Sequence, residues 1–373
     1  MTLQASDQTA VQQRTRVIVV DDSRLMRRMI ATGLEEDGTI EVIAEAENTS
    51  EARQLIRTLN PDVITLDVEM PGMNGIDFLK KIMELRPMLV IMVSTLTAAG
   101  TDVSLAALQI GAVDAIQKPA GRDDVARFGR ALREKVHLAR GARIHTRASA
   151  RPAQVGTPVA APRPAPRRTA PRSGRPGRTD LIAIGASTGG VRALTQLLEV
   201  LPPNTPPIVI TQHMPDTFTA RFAARLDGLL PHNVSEAVDG EVLQPNTIRI
   251  APGDRHLRVQ RSGGVLTTGF DESGPISGHR PSVDVLFNSV STAVNASAIG
   301  VILTGMGRDG AAGLRSMRNT GAYCIGQSEE SCVVYGMPKA AVELQAIDEQ
   351  LDLGQIPVRI CEFLNLQLGM KSA

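Results

Sequence analysis

The sequence predicts two doubly wound α/β domains with parallel sheets, and three observations carry that prediction. Short continuous Val/Ile/Leu runs alternate with helix-length segments, the pattern of strands buried on both faces of a parallel sheet. A stretch rich in Pro, Arg and Ala, free of any such run, divides the chain into two alternating halves. With 373 residues, there is room for two or three cores at about 100 to 200 residues each. The expected units are residues 1–138, a linker over 139–178, and residues 179–373.

In the first unit the apolar runs are Val17 to Val20, Val42 to Ala46, Val63 to Leu66, Leu89 to Val93 and Val113 to Ile116. Five βα units of this length make one doubly wound domain. The linker carries Pro152, Pro158, Pro162, Pro164, Pro166, Pro171 and Pro176, which oppose helix and strand alike and predict an extended chain. In the second unit the runs are Leu181 to Ile184, Ile208 to Thr211 and Ile299 to Thr304. Between them Val283, Leu286, Phe287, Val290, Ala293 and Val294 recur at helical spacing, as do Phe218, Phe222 and Leu226. The pieces Thr247 to Ile250, His256 to Gln260 and Val265 to Thr268, punctuated by Pro252-Gly253 and Gly263-Gly264, predict antiparallel hairpins.

Composition excludes several classes. An aromatic share of 2% without Trp leaves no stacking platform for single-stranded nucleic acid, and no helix-turn-helix or zinc spacing is present. Three Cys cannot frame a disulfide scaffold, and the first fifteen residues are polar without an apolar core; a cytoplasmic protein is expected. The uncharged run from Val285 to Gly307 is long enough to span a bilayer, but Asn288, Ser289, Ser291, Thr292, Asn295 and Ser297 interrupt it. It is expected to form a helix and then a strand, with no membrane insertion. The net charge of +1 hides an asymmetry: eleven Lys and Arg and no acid lie between Glu134 and Asp180, leaving −10 for the rest. A solvated linker is the expected use of those arginines.

Polar residues end the strands of the first unit: Asp21 and Asp22 after the first, Asp67 after the third, Ser94 after the fourth, Lys118 after the fifth. Such ends converge on one sheet edge. Three carboxylates there would repel unless a hard cation joined them, and a Lys and a hydroxyl beside them suit a phosphoryl group. Helix capping accounts for Asp22 and Ser23 but not for five convergent ends. The segments Val-Val-Asp-Asp-Ser (19 to 23), Leu-Asp-Val-Glu-Met-Pro-Gly (66 to 72), Val-Ser-Thr (93 to 95) and Gln-Lys-Pro (117 to 119) resemble a response-regulator receiver domain, which is flavodoxin-like. The resemblance implies that Asp67 is the phosphoacceptor, that Asp21 and Asp22 with Asp67 and the backbone of Glu69 hold Mg²⁺, and that Ser94 and Lys118 sense the phosphoryl group. One departure is Ala115, where the family usually carries an aromatic switch.

In the second unit, Gly185-Ala186-Ser187-Thr188-Gly189 joins a strand to a helix, a nucleophile-elbow pattern that exposes the hydroxyl and sets backbone N–H groups near an oxyanion. A serine there needs a base. His213 directly follows the strand ending at Gln212, whereas His256 and His279 are rivals on loops or hairpin strands. Asp309, in Thr304-Gly305-Met306-Gly307-Arg308-Asp309-Gly310, also follows a strand. Ser187, His213 and Asp309 should therefore face one crevice as nucleophile, base and orienting carboxylate. The order Ser, His, Asp differs from that of α/β-hydrolases. A competing reading takes Gly305-x-Gly307-x-x-Gly310, with Glu329 and Glu330 downstream, as a dinucleotide fingerprint, although it falls late in its domain.

Ile-Gly-Ala-Ser-Thr-Gly-Gly (184 to 190), Gln-His-Met-Pro (212 to 215), Ala-Pro-Gly-Asp-Arg-His (251 to 256), Gly-His-Arg-Pro-Ser-Val-Asp-Val-Leu-Phe (278 to 287) and Leu-Thr-Gly-Met-Gly-Arg-Asp-Gly (303 to 310) resemble the chemotaxis protein-glutamate methylesterases, the CheB family. Their catalytic domain is Rossmann-like with a β-hairpin insertion. The resemblance implies a triad of Ser187, His213 and Asp309 with the Met306 N–H in the oxyanion hole, and no cofactor for hydrolysis. It implies demethylation of glutamate methyl esters on methyl-accepting chemotaxis receptors, with deamidation of receptor glutamines as a second reaction. It also implies a histidine kinase as phosphodonor and an unphosphorylated receiver that covers Ser187. A monomer is expected. The rival class is a non-enzymatic response regulator whose output domain binds a partner or nucleotide.

Overall fold

The computed structural model describes residues 14–70, 73–95, 97–140 and 179–368; the expected linker lies outside them. The first sheet comprises β1 (Thr15–Val20), β2 (Ile40–Ala46), β3 (Val63–Asp67), β4 (Leu89–Ser94) and β5 (Asp114–Gln117), in the order β2-β1-β3-β4-β5 with every pair parallel. Helices α1 (Arg24–Glu35), α2 (Thr49–Leu59), α3 (Gly75–Leu85), α4 (Ala98–Ile110) and α5 (Val125–Arg140) alternate with the strands. All of β3 is buried, as its unbroken apolar run requires. Side chains start the helices where the sequence changes period: Ser23, Asn48 and Asn74 each accept a backbone N–H of the first turn.

The second sheet has seven strands: β6 (Leu181–Ala186), β7 (Ile208–Gln212), β8 (Asn233–Glu236), β9 (Thr247–Ile250), β12 (Ala298–Ile302), β13 (Tyr323–Gln327) and β14 (Glu349–Leu351). Their order is β14-β13-β12-β6-β7-β9-β8, again all parallel. The chain runs outward from β6 on one side and then returns to β12 on the other, so the gap between β6 and β12 is the topological switch point, where such sheets hold ligands. Covering helices are α6 (Gly190–Leu198), α7 (Asp216–Asp227), α8 (Val283–Ala293), α9 (Ala311–Asn319), α10 (Met337–Glu343) and α11 (Ile356–Leu364). The uncharged run from Val285 divides into α8 and β12, and among the described residues no helix is long and apolar enough to cross a membrane.

One expectation is corrected. Of the three pieces, only the last two pair as an antiparallel hairpin, as β10 (His256–Ser262) and β11 (Val265–Asp271). The piece Thr247–Ile250 instead pairs in parallel with β7 and β8. Its Ile248 and Ile250 are fully buried, and the Pro252-Gly253 turn carries the chain off the main sheet rather than back along the same strand.

The two sheets share a contact face. Helix α4 packs on α6 and α7, and one apolar cluster runs from the first domain into the second. Polar bonds flank it: Gln117 Nε2 donates to Thr217 Oγ1 (2.8 Å), Arg221 pairs with Asp102 (2.6 Å), and Thr188 Oγ1 donates to Asp114 Oδ2 (3.2 Å). Asp114 also holds Lys135 at 2.7 Å.

Candidate active site and phosphoacceptor site

Ser187 leaves β6 at the switch point. Its N–H donates to Thr304 O at 3.0 Å, and its carbonyl accepts from Gly190 N (2.7 Å) and Gln212 Nε2 (2.9 Å). These bonds bend the backbone sharply between strand and helix, with Gly189 in the left-handed region (φ 78°). Gly305 presses on the elbow: a Cβ there would lie 2.3 Å from Met337 Sδ and 2.8 Å from Ser187 Cβ. Only glycine allows the loop from Thr304 to Gly310 this close.

His213 follows β7, tied by its N–H to Ala186 O at 3.0 Å. Its Nε2 lies 2.8 Å from Asp309 Oδ2. Its Nδ1 is buried and without a hydrogen-bond partner among the described residues, an arrangement native proteins rarely leave unexplained. Asp309 Oδ2 also accepts from Val283 N (2.7 Å), while Oδ1 accepts from Ser282 Oγ (2.7 Å) and Asp284 N (3.1 Å). The carboxylate thus sits on the N-terminus of α8, where backbone N–H groups and the helix dipole favour negative charge. Burial alone would raise its pKa; the bonds from His213, Ser282 and Val283 more than offset that and hold it below the ordinary carboxyl value.

The three residues placed on separate strand ends by sequence are brought together, and Met306 lines the same crevice. The Met306 N–H has no acceptor among the described residues. Two residues not assigned to the site in advance also belong to it. His279 stacks on His213 with ring centroids 3.8 Å apart and planes within 11°, and Gln212 ties the carbonyls of Ser187 and His213 together. His256 is apart from the reacting groups: it is fully buried, and its Nδ1 accepts from Ser282 N at 3.0 Å. Two glycines of the dinucleotide fingerprint are used within the protein, Gly305 against Ser187 and Met337 and Gly310 against Val283, while a Cβ at Gly307 would meet nothing within 4 Å. Cys324, Cys332 and Cys361 are free and buried.

The crevice, about 630 Å³, lies between the two domains, with Asp114, Lys118 and Lys135 of the first lining it together with Ser187 and His213 of the second. On the far side of β5 lies the acidic cluster. Asp21, Asp22 and Asp67 bring carboxylate oxygens within 4.8 Å of one another. Lys118 Nζ lies 2.8 Å from Asp21 and 2.9 Å from Asp67. Burial, with Asp21 beside it and Lys118 opposing, pushes Asp67 up to about 6. Burial works against the Lys118 ammonium, yet its two carboxylate partners hold its pKa above the ordinary value. One ammonium among three carboxylates leaves excess negative charge, which fits a hard divalent cation. Glu69 is exposed and meets Asp67 through its backbone N–H (3.3 Å). The Ser94 hydroxyl is buried and accepts from Ser104 Oγ at 2.8 Å, a partner on α4 that no motif marks.

A receiver sheet with an acidic strand-end cluster, packed over a second sheet that gathers Ser, His and Asp at its switch point, defines a receiver-coupled domain of serine-hydrolase type. The CheB methylesterase family matches residues 182–360, and the response regulator receiver domain family residues 17–127. A protein-glutamate methylesterase/protein-glutamine glutaminase of Caulobacter vibrioides is 52% identical over 344 residues, covering 92% of this chain and 96% of its own. One from Agrobacterium fabrum is 52% identical over 342 residues, covering 91% and 94%. The catalytic domain of the CheB methylesterase of Thermotoga maritima is 39% identical with a TM-score of 0.49, covering 50% of this chain and 99% of that one. The chain belongs to the CheB methylesterase family, with a receiver domain preceding the methylesterase domain.

Proposed function

We propose that this chain is a phosphorylation-activated protein-glutamate methylesterase and protein-glutamine glutaminase acting on methyl-accepting chemotaxis receptors. The observation that carries the reading is His213: one ring nitrogen is held by a buried carboxylate and the other is buried without a partner, in a crevice lined by an elbow serine. With Nε2–H donated to Asp309, Nδ1 is the basic nitrogen. It takes the proton of Ser187 Oγ as that oxygen attacks the ester carbonyl, and the negative charge formed on the carbonyl oxygen falls to the Met306 N–H. Collapse of the tetrahedral adduct breaks the ester C–O bond, and the His213 proton leaves with methanol. A water molecule, deprotonated by the same nitrogen, then releases the glutamate and restores Ser187. An amide follows the same course with ammonia as leaving group. Asp309 stabilises the imidazolium throughout and fixes its tautomer.

Regulation follows from the contact face. Asp67 accepts the phosphoryl group from a histidine kinase, with Asp21, Asp22, Asp67 and the Glu69 carbonyl as the residues that would hold Mg²⁺; when bound, the ion neutralises charge on that group. Lys118 and Ser94 turn toward the phosphoryl oxygens. Because Lys118 follows the strand whose Asp114 bonds to Thr188, next to Ser187, this shift reaches the surface that closes the crevice. The chain works as a monomer without nucleic acid. Methanol release from methylated receptor membranes tests the reading: the full chain with a small phosphodonor releases it, and Ser187→Ala does not. Equal rates for the two would refute it.

A further inference from the structure

Among the described residues, the His213 side chain makes one hydrogen bond, through Nε2 to Asp309. A single bond at one vertex fixes where that nitrogen sits but leaves the ring plane free to rock, and the plane decides where Nδ1 aims. The contact that sets the plane is the parallel ring of His279, 3.8 Å away. We infer that His279 is a positioning residue, a stacked ring that holds His213 in the orientation presenting Nδ1 to Ser187. The inference rests on the esterase reading above.

Three features support it. The first is how His279 is held: Ile276 and His279 exchange both backbone hydrogen bonds at 3.0 Å across Ser277 and Gly278. Both of those residues lie in the left-handed region, with φ of 53° and 81°, so a tight two-residue turn fixes the ring's base. Its freedom from other duties is the second. Among the described residues the ring nitrogens of His279 make no hydrogen bond, and the stacking on His213 is the ring's specific contact there. The third is charge. Burial, with His213 beside it and Lys135 across the crevice, pushes the His279 pKa down to about 4 against the pull of Asp309. The partner ring therefore stays neutral while His213 takes up a proton, and a neutral aromatic face accommodates a cation where a second imidazolium would repel it. Arg280 and Glu134 also line the crevice.

The test compares His279→Ala and His279→Phe in the full chain with phosphodonor, by methanol release from methylated receptor membranes across mildly acidic to mildly alkaline pH. A displaced base costs rate rather than binding, so His279→Ala should lower kcat about 10- to 100-fold with KM within about threefold. His279→Phe keeps a stacking face without a titrating group, and should recover most of the loss with a pH profile of unchanged shape. Near-wild-type rates in His279→Ala would overturn the inference, as would a Phe variant as slow as Ala, or one whose profile has lost a limb, which would make His279 a proton carrier. Thermal midpoints of both variants separate misfolding from misplacement, the Phe variant carrying the test if Ala fails to fold. Wild type that releases no methanol would instead refute the esterase reading itself.

Discussion

Replacing Asp309 by Asn preserves shape and removes charge, and the structure lets the cost be worked out contact by contact. Each carboxylate oxygen accepts twice, Oδ2 from His213 Nε2 and Val283 N, Oδ1 from Ser282 Oγ and Asp284 N. An amide NH₂ at the Oδ2 position meets the fixed donor Val283 N–H and drives His213 to its other tautomer, which leaves no basic nitrogen for Ser187. At the Oδ1 position it meets the fixed donor Asp284 N–H, while the Ser282 hydroxyl can turn to accept. Either rotamer strands one buried backbone N–H, at about 1–3 kcal/mol, and removes a charge-assisted bond. The imidazolium formed in the reaction also loses its counter-charge. Together these predict about a 10³- to 10⁴-fold fall in kcat, the order seen when a triad tautomer is lost elsewhere, and about 2–4 kcal/mol of stability. Methanol release and urea unfolding measure the two. Because the Asp309 pKa is lowered in the fold, its stabilising effect is complete above the ordinary carboxyl range and disappears as pH falls through the folded value; the stability gap between wild type and Asp309→Asn should close on acidification. An Asn variant within about tenfold of wild type, with stability unchanged, would refute this account of the triad.

Gly305→Ala places a methyl 2.3 Å from Met337 Sδ and 2.8 Å from Ser187 Cβ; it should cost about 1–3 kcal/mol and lower kcat about 100-fold by moving the serine, both read from the same two assays. Asp102→Ala combined with Gln117→Ala removes two polar bonds from the contact face without touching the elbow; at about 1 kcal/mol in all, basal methanol release should rise about fivefold without phosphodonor. Asp67 has its pKa raised to about 6, so in the absence of divalent cation stability is lost as pH rises from the ordinary carboxyl value toward 6. Asp67→Asn should therefore unfold at higher temperature than wild type at neutral pH, and Mg²⁺ should raise the wild-type midpoint more than the variant's.

Legibility from sequence followed the burial of the backbone. In β1, β3, β4, β6 and β7 the apolar run ends on a polar residue, and those ends are where Asp21, Asp67, Ser94, Ser187 and His213 stand, because parallel strands present their last residues to one edge. Short or polar strands were not readable: β14 is Glu-Gln-Leu at an edge, β13 contains Gln327 and Gly326, and β8 is Asn-Val-Ser-Glu; β9 was legible as a strand, but its parallel pairing was not. The environment of Asp309 was half legible. Its strand-end position could be seen, but the helix N-terminus that stabilises it comes from Ser282 to Asp284, some 25 residues away, and only tertiary packing joins them. His279 escaped for the same reason, since it stands on a turn and no periodicity marks a ring that stacks across a crevice.

On the reading proposed above, the receiver covers the crevice at Ser187 and phosphorylation of Asp67 opens it. Methanol release from methylated receptor membranes, measured for the full chain and for Asp67→Asn with and without a small phosphodonor and Mg²⁺, tests it directly. Wild type should be slow alone and several-fold faster with phosphodonor, while Asp67→Asn stays at the slow rate under both conditions. Identical wild-type rates with and without phosphodonor, or an equal response from Asp67→Asn, would contradict it.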